Sequence, residues 1–326
     1  VTLYYAFNGD ADGLCALQQL RLENAEPGVL VTGVKRDIEL VGRVAAKAGD
    51  ECVVLDVSLD VNRAGLVTVL AAGAKVRYFD HHHAGEVPDH AKLEPHLDPS
   101  PNVCTSILVD RYLGGRRRAW AAVGAFGDSL GAEGRALSHA AGVGEDDARA
   151  LEDLGVCINY NAYGETLADL HVPPATLAEE MRPFEDPREF LRRSESYRKL
   201  RDGYQQDMEL AARLEPRTEV PGAVLFLLPD EAWARRASGT LANDLAKAHA
   251  GSAVAIVSPK AQGGFLVSLR VPKESTVSAE AFARRFPTGG GRRTAAGINH
   301  LPAPELDSFA RDFTCEFTRH LSPAIT

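Results

Sequence analysis

Two aspartates, Asp10 and Asp12, stand two apart in "FNGDADG", directly after the apolar run "LYYAF", with Asn8 just before them. "VVLDVSLD" carries a second apolar run into Asp56. "VRYFDHHHAG" carries a third into Asp80, His81, His82 and His83, and "VGAFGDSLG" places Asp128 after a helical stretch. A carboxylate at the end of a buried strand is costly unless positive charge or hydrogen bonds meet it. Carboxylates together with imidazole suit Mn²⁺, Mg²⁺, Fe or Zn²⁺, and a pair of such ions bridged by one carboxylate is a common device for cleaving phosphoesters. Each cluster also has a plainer reading. Asp-x-Asp-Gly and Gly-Asp-Ser are ordinary turn or cap sequences, Asp56 can cap the next helix, and three histidines can sit on a solvated loop. Placement favours the site reading, because three clusters close strands of one expected sheet and ligands of open parallel sheets bind beyond the carboxyl ends of the strands.

The elements that must carry these residues read as α/β. Strands are expected at Leu3–Phe7, Val29–Gly33, Cys52–Asp56 and Val76–Phe79, and helices at Leu14–Leu22, Glu39–Ala48 and Asn62–Ala72. That alternation predicts a parallel sheet with helices on both faces. Helices are expected to follow at Thr105–Leu113, Ala119–Phe126 and Glu145–Cys157, and Pro187–Leu214 reads as one long charged helix. A smaller α/β unit follows, with strands at Ala223–Leu228, Ala253–Ser258 and Gly264–Arg270 and helices at Gly239–His249, Ala279–Phe286 and Pro304–Leu321. The expected organisation is a metal-binding domain over 1–185, a helical linker over 186–216 and a substrate-binding domain over 217–326.

The 326 residues are 45% hydrophobic with a net charge of −9, so a general affinity for nucleic acid is disfavoured, since that affinity comes from neutralising phosphates. Residues 1–214 hold 23 basic against 34 acidic residues (−11) and residues 215–326 hold 13 against 11 (+2). No apolar run is long enough for a membrane span. Five scattered cysteines without CxxC spacing, and no signal-like N-terminal segment, lead to the expectation of a cytoplasmic protein.

The four clusters resemble the motifs of the DHH phosphoesterase superfamily, named for the Asp80-His81-His82 type of triplet. The C-terminal unit, through "LVSLR" and "GGGRRTAAG", is similar to the DHH-associated domain of the RecJ and nano-RNase branch. This resemblance implies two divalent ions, Mn²⁺ first and Mg²⁺ second, with Asp10 on one ion, Asp12, His81 and Asp128 on the other, and Asp56 between them. It also implies a role for His82 at the scissile phosphate and for Asp80 in orienting an imidazole. Asn8 departs from the family's His or Asp, and Arg292 from its GGG-His. The C-terminal unit would hold the other end of a short nucleic acid or nucleotide through Ser268, Arg270, Gly289, Gly290, Gly291 and Arg292, because a glycine run lets main-chain N–H groups approach a phosphate. Thr105 and Ser106, at a helix N-terminus, are further candidate phosphate contacts.

The activity expected is metal-dependent hydrolysis of short oligonucleotides or small nucleotides. The alternatives are a RecJ-like single-strand exonuclease, a polyphosphatase, or a nucleotide-binding regulator with a degenerate site. A homodimer is the prior for this type of fold, and no membrane partner is expected.

Overall fold

A computed structural model describes residues 1–318 and divides the chain into two compact units, Val1–Tyr204 and Gln205–Thr326. In the first, β1 (Leu3–Phe7), α1 (Ala11–Glu23), β2 (Val29–Val31), β3 (Glu51–Leu55), α2 (Leu59–Ala71), β4 (Lys75–Asp80) and β5 (Leu93–Leu97) form a five-stranded, wholly parallel sheet of order β2-β1-β3-β4-β5. Alternate residues face opposite cores. Tyr5, Phe7, Val53, Leu55 and Phe79 pack towards α1, whereas Ala6, Cys52, Val54, Val76 and Tyr78 pack towards α2. Both faces are covered, as a parallel sheet requires.

The order reverses between β1 and β3, since β1 leads outward to β2 while β3 leads the other way to β4 and β5. Such a switch opens a crevice beyond the strand ends. Against it lies a helical layer of α3 (Thr105–Tyr112), α4 (Arg118–Gly127), α5 (Gly131–Ala140), α6 (Glu145–Asn161) and α7 (Pro174–Met181), followed by α8 (Pro187–Arg193) and α9 (Glu195–Ala211). Helix α1 is buried from Ala11 to Arg21.

Two expectations need correction. Glu39–Ala48 holds only a single 3₁₀ turn, Val41–Arg43, because the chain bends so that Asn62 Oδ1 accepts the Val41 N–H at 3.0 Å and Gly65 of α2 packs on Gly42. The long helix breaks at Ser194, whose hydroxyl accepts from the Tyr197 N–H and donates to Glu180 at 2.6 Å. The division between the units, at 204/205, lies within α9. Strand β5 and helix α5 are additions to the expected elements.

The second unit contains β6 (Thr218–Val220), β7 (Ala223–Leu227), α10 (Ala232–Ala248), β8 (Ala253–Pro259), β9 (Phe265–Arg270), α11 (Ala279–Ala283), β10 (Gly289–Gly291), β11 (Ala295–Leu301) and α12 (Leu306–Thr318). Its six-stranded mixed sheet has order β10-β11-β9-β8-β7-β6, with β7 and β8 parallel and the remaining pairs antiparallel. One face packs on Phe282, Phe309, Phe313 and Phe317, three of which recur every fourth residue along α12. The other packs on α10 through Leu241 and Ala242. The expectation for Pro304–Leu321 extends past Thr318, outside the described residues. Cys15, Cys52, Cys104 and Cys157 are buried free thiols and Cys315 is exposed, so no disulfide shapes the described chain.

Candidate metal centre

Each acidic residue is delivered by an element end. Asp10 caps α1, its Oδ1 accepting the N–H groups of Asp12 (3.1 Å) and Gly13 (3.2 Å). Position 13 must be glycine, since a Cβ there would lie 2.2 Å from the Asn8 carbonyl oxygen. Within the first turn of α1, Asp12 points at the N-terminus of α3, and its two oxygens accept the N–H groups of Thr105 and Ser106, both at 2.7 Å. A helix N-terminus favours negative charge, and here a carboxylate of the chain occupies it. Thr105 and Ser106 are fully buried with those N–H groups committed, so the phosphate contact expected of them does not fit. They position Asp12 instead, and the Thr105 hydroxyl also donates to Asp56 at 3.2 Å.

Asp56 follows β3 with φ of +58°, a left-handed conformation that costs a non-glycine residue about 1–2 kcal/mol. The Tyr78 hydroxyl fixes the next residue by donating to the Val57 carbonyl at 2.8 Å. Burial pushes the Asp56 carboxyl well above the usual range, and Asp10, Asp12 and Asp128 add to the rise. Asp128 ends α4, and burial followed by Asp12 pushes it up to about 6.

The two histidines of the triplet separate in role. His81 Nδ1 lies 3.0 Å from the Val103 carbonyl, so this nitrogen carries the proton and Nε2 faces Asp56 Oδ1 (3.4 Å) and Asp128 Oδ2 (3.9 Å). Acceptors thus converge from three residues, which is the donor set of a divalent-cation site. One ligand atom each from Asp56, His81 and His82 also lie within 4.8 Å of one another. His82 Nδ1 instead meets Asp80 Oδ1 at 2.6 Å, and fully buried Asp80 is held in turn by the Leu59 N–H at 3.3 Å. Asp80 therefore orients His82. Burial lowers the basicity of His82, but the Asp80 hydrogen bond and charge outweigh it and the net shift is upward. His83 is exposed and takes no part in this geometry.

Lys35 was missed from the sequence. It follows β2 in a loop with no motif, yet its Nζ is ion-paired with Asp10 and donates to Asn159 Oδ1 at 2.9 Å. Burial would lower its basicity, but Asp10 raises it further, so it remains an ammonium. The same pair holds Asp10 below its usual range despite burial. Asn8 spends its amide locally, Oδ1 accepting the Asp10 N–H and Nδ2 donating to the Lys35 carbonyl, both at 3.3 Å.

In the second unit the three glycines form a strand, β10. Gly289 and Gly291 are packing positions, since a Cβ would lie 1.8 Å from the Ala283 carbonyl oxygen and 2.4 Å from Ala296 Cα respectively. Gly290 faces open space and pairs with Gly297, which pairs with Ser268. These positions and Arg270 form a sheet face nearly bare of side chains. Arg270 Nε donates to Asn243 Oδ1 at 3.0 Å, and Arg292 is exposed just past β10.

No protein-family model and no curated protein matches the chain. Solved structures do. An exonuclease RecJ bound to manganese superposes with a TM-score of 0.61 at 18% identity, over 99% of this chain and 91% of that one. RecJ from Thermus thermophilus in complex with Mn²⁺ gives 0.64 at 20% identity, and this chain spans 53% of its length. The pGpG-specific phosphodiesterase PggH from Vibrio cholerae gives 0.57 at 13% identity, over 98% of this chain and 100% of that one. The α/β fold of this protein is thus the fold of these DHH structures.

Proposed function

We propose that the protein is a metal-dependent phosphoesterase acting on short oligonucleotides or small nucleotides. The observation that carries this reading is the convergence of His81 Nε2 with Asp56 and Asp128 at the sheet's switch point, beside a separate Asp80–His82 pair. A divalent ion held by Asp56, His81 and Asp128, with Asp12 and Asp10 close by, would supply an acidified water as nucleophile and a positive centre for phosphoryl oxygens. His82, 45% exposed at its side chain, is the group able to meet substrate. With Nδ1 on Asp80, it presents Nε2–H as proton donor to the leaving oxygen. Asp80 fixes that tautomer and favours the protonated ring. Mn²⁺ is the proposed ion, consistent with the Mn²⁺ named for both RecJ structures.

In the second unit, the bare face around Gly290, Gly297, Ser268 and Arg270, with Arg292 nearby, is proposed to bind nucleotide. Absent side chains let a base or phosphate approach the main chain, and a guanidinium grips phosphate. The acidic balance of residues 1–214 supports a short substrate over a long polyanion.

The test is a rate comparison with Mn²⁺ on pGpG and other dinucleotides, 3′-phosphoadenosine 5′-phosphate, cyclic dinucleotides, long single-stranded DNA and polyphosphate. Fastest turnover on the dinucleotides or the small nucleotides is expected. Preference for long DNA would move the assignment to an exonuclease, preference for polyphosphate to a polyphosphatase, and binding without turnover to a regulator.

A further inference from the structure

The two ends of the crevice are unequal in their cations. Around Asp56, His81 and Asp128 the acceptors face one another. Around Asp10 the acceptors are already met. Oδ1 takes two N–H groups of α1 and Oδ2 takes the Lys35 ammonium. Asn8 adds no charge in compensation, and both ends of its neutral amide are engaged with main chain.

Lys35 is fixed as a part of the site. Its N–H donates to the Ala162 carbonyl at 2.8 Å, its carbonyl accepts from Asn8, and its Nζ reaches Asn159 of α6 and lies 5.4 Å from the centre of the Tyr163 ring. The anchors come from two segments far apart in sequence. Its charge also acts on Asp56 and Asp128, which ties it electrostatically to the other end of the crevice.

We infer that Lys35 stands in for one of the two divalent ions: the crevice binds a single divalent ion at Asp56, His81 and Asp128, and the ammonium fixed on Asp10 supplies the second positive centre. The inference rests on the metal-dependent reading above and alters its ion count. An ammonium is a compact point charge with three donors. Asp10 and Asn159 engage two of them, and the third, on a side chain 23% exposed, can take a phosphoryl oxygen of the substrate. It cannot acidify water as a metal does, so the nucleophile belongs to the single ion's end and charge neutralisation to the lysine's end. Asn8 then follows physically. A carboxylate or imidazole at position 8 would serve a second ion, whereas an amide serves to hold the lysine's main chain.

The test is Mn²⁺ stoichiometry of the full chain, by calorimetric titration of metal-free protein together with electron paramagnetic resonance. The wild type is expected to bind one Mn²⁺ with the spectrum of an isolated ion. The double variant Asn8→Asp/Lys35→Ala is expected to bind two, with an exchange-coupled spectrum. Two coupled ions in the wild type would overturn the inference and leave the metal-dependent reading standing, whereas no ion in the wild type would overturn both. A folded double variant that binds one ion would also overturn the inference. Asp10→Asn keeps the α1 cap and is expected to leave one ion bound, while loss of that ion would count against the lysine's role. The wild-type and Asp10→Asn measurements decide the matter even if the double variant does not fold.

Discussion

The crevice of the first unit and the glycine face of the second use opposite means. The crevice concentrates charge: Asp10, Asp12 and Asp56 are buried beside half-buried Asp128, each aimed by a strand or helix end and crowding its neighbours. The glycine face removes side chains, leaving Gly290 and Gly297 beside Ser268 and Arg270 on ordinary antiparallel strands. The first arrangement is unstable by itself and gains from a cation. The second rests on regular antiparallel pairing and carries no such crowding. Substitutions in the crevice should therefore change the chemical step and metal-free stability together, and those on the glycine face should change substrate binding alone.

The largest effect is expected at Asp56. Asp56→Asn should abolish Mn²⁺ binding at its end of the crevice and lower kcat by at least about 10³-fold, while raising the Tm of the metal-free protein by removing a buried, crowded charge. A fall in metal-free Tm, read by calorimetry, would break the contrast between the regions. Next, His82→Ala should lower kcat by about 10²–10⁴-fold, the usual worth of a positioned proton donor. Asp80→Asn should act through it. His82 must be protonated to donate, and Asp80 raises its basicity, so removing that charge should move the alkaline limb of the kcat profile to lower pH.

On the glycine face, Arg270→Ala should raise KM by about tenfold with kcat little changed, and Gly290→Val should do likewise without altering Tm. Gly289→Ala should instead lower Tm, because its Cβ would overlap the Ala283 carbonyl. The smallest effect is in pH. With its carboxyl raised to about 6, Asp128 binds more protons folded than unfolded between about pH 4 and 6. Its contribution is full at low pH and is lost as pH rises through 6. Metal-free stability should decline across that window, less so in Asp128→Asn, and Mn²⁺ should remove the decline.

Much of this was legible in sequence. Strand ends carrying Asp10, Asp56 and Asp80 are local patterns, because an apolar run of fixed length followed by a polar residue needs no tertiary knowledge. Partners were not legible. Lys35 reaches Asp10 from a loop without periodicity, and nothing local distinguishes it from a surface lysine. Which imidazole Asp80 would orient depends on how Val103 approaches His81. Strand β5, "LEPHL", hides because Pro95 within an edge strand removes the usual pattern. The glycine run gives no strand signal by itself, because pairing of Gly290 with Gly297 is visible only once β11 is in place.

The most direct test of the central claim is Mn²⁺-dependent hydrolysis of a dinucleotide such as pGpG by the wild type and Asp56→Asn side by side. Mononucleotide release by the wild type is expected, lost on chelation and absent from the variant. No release by the wild type, or equal release by both proteins, would contradict the assignment of the crevice as the catalytic centre.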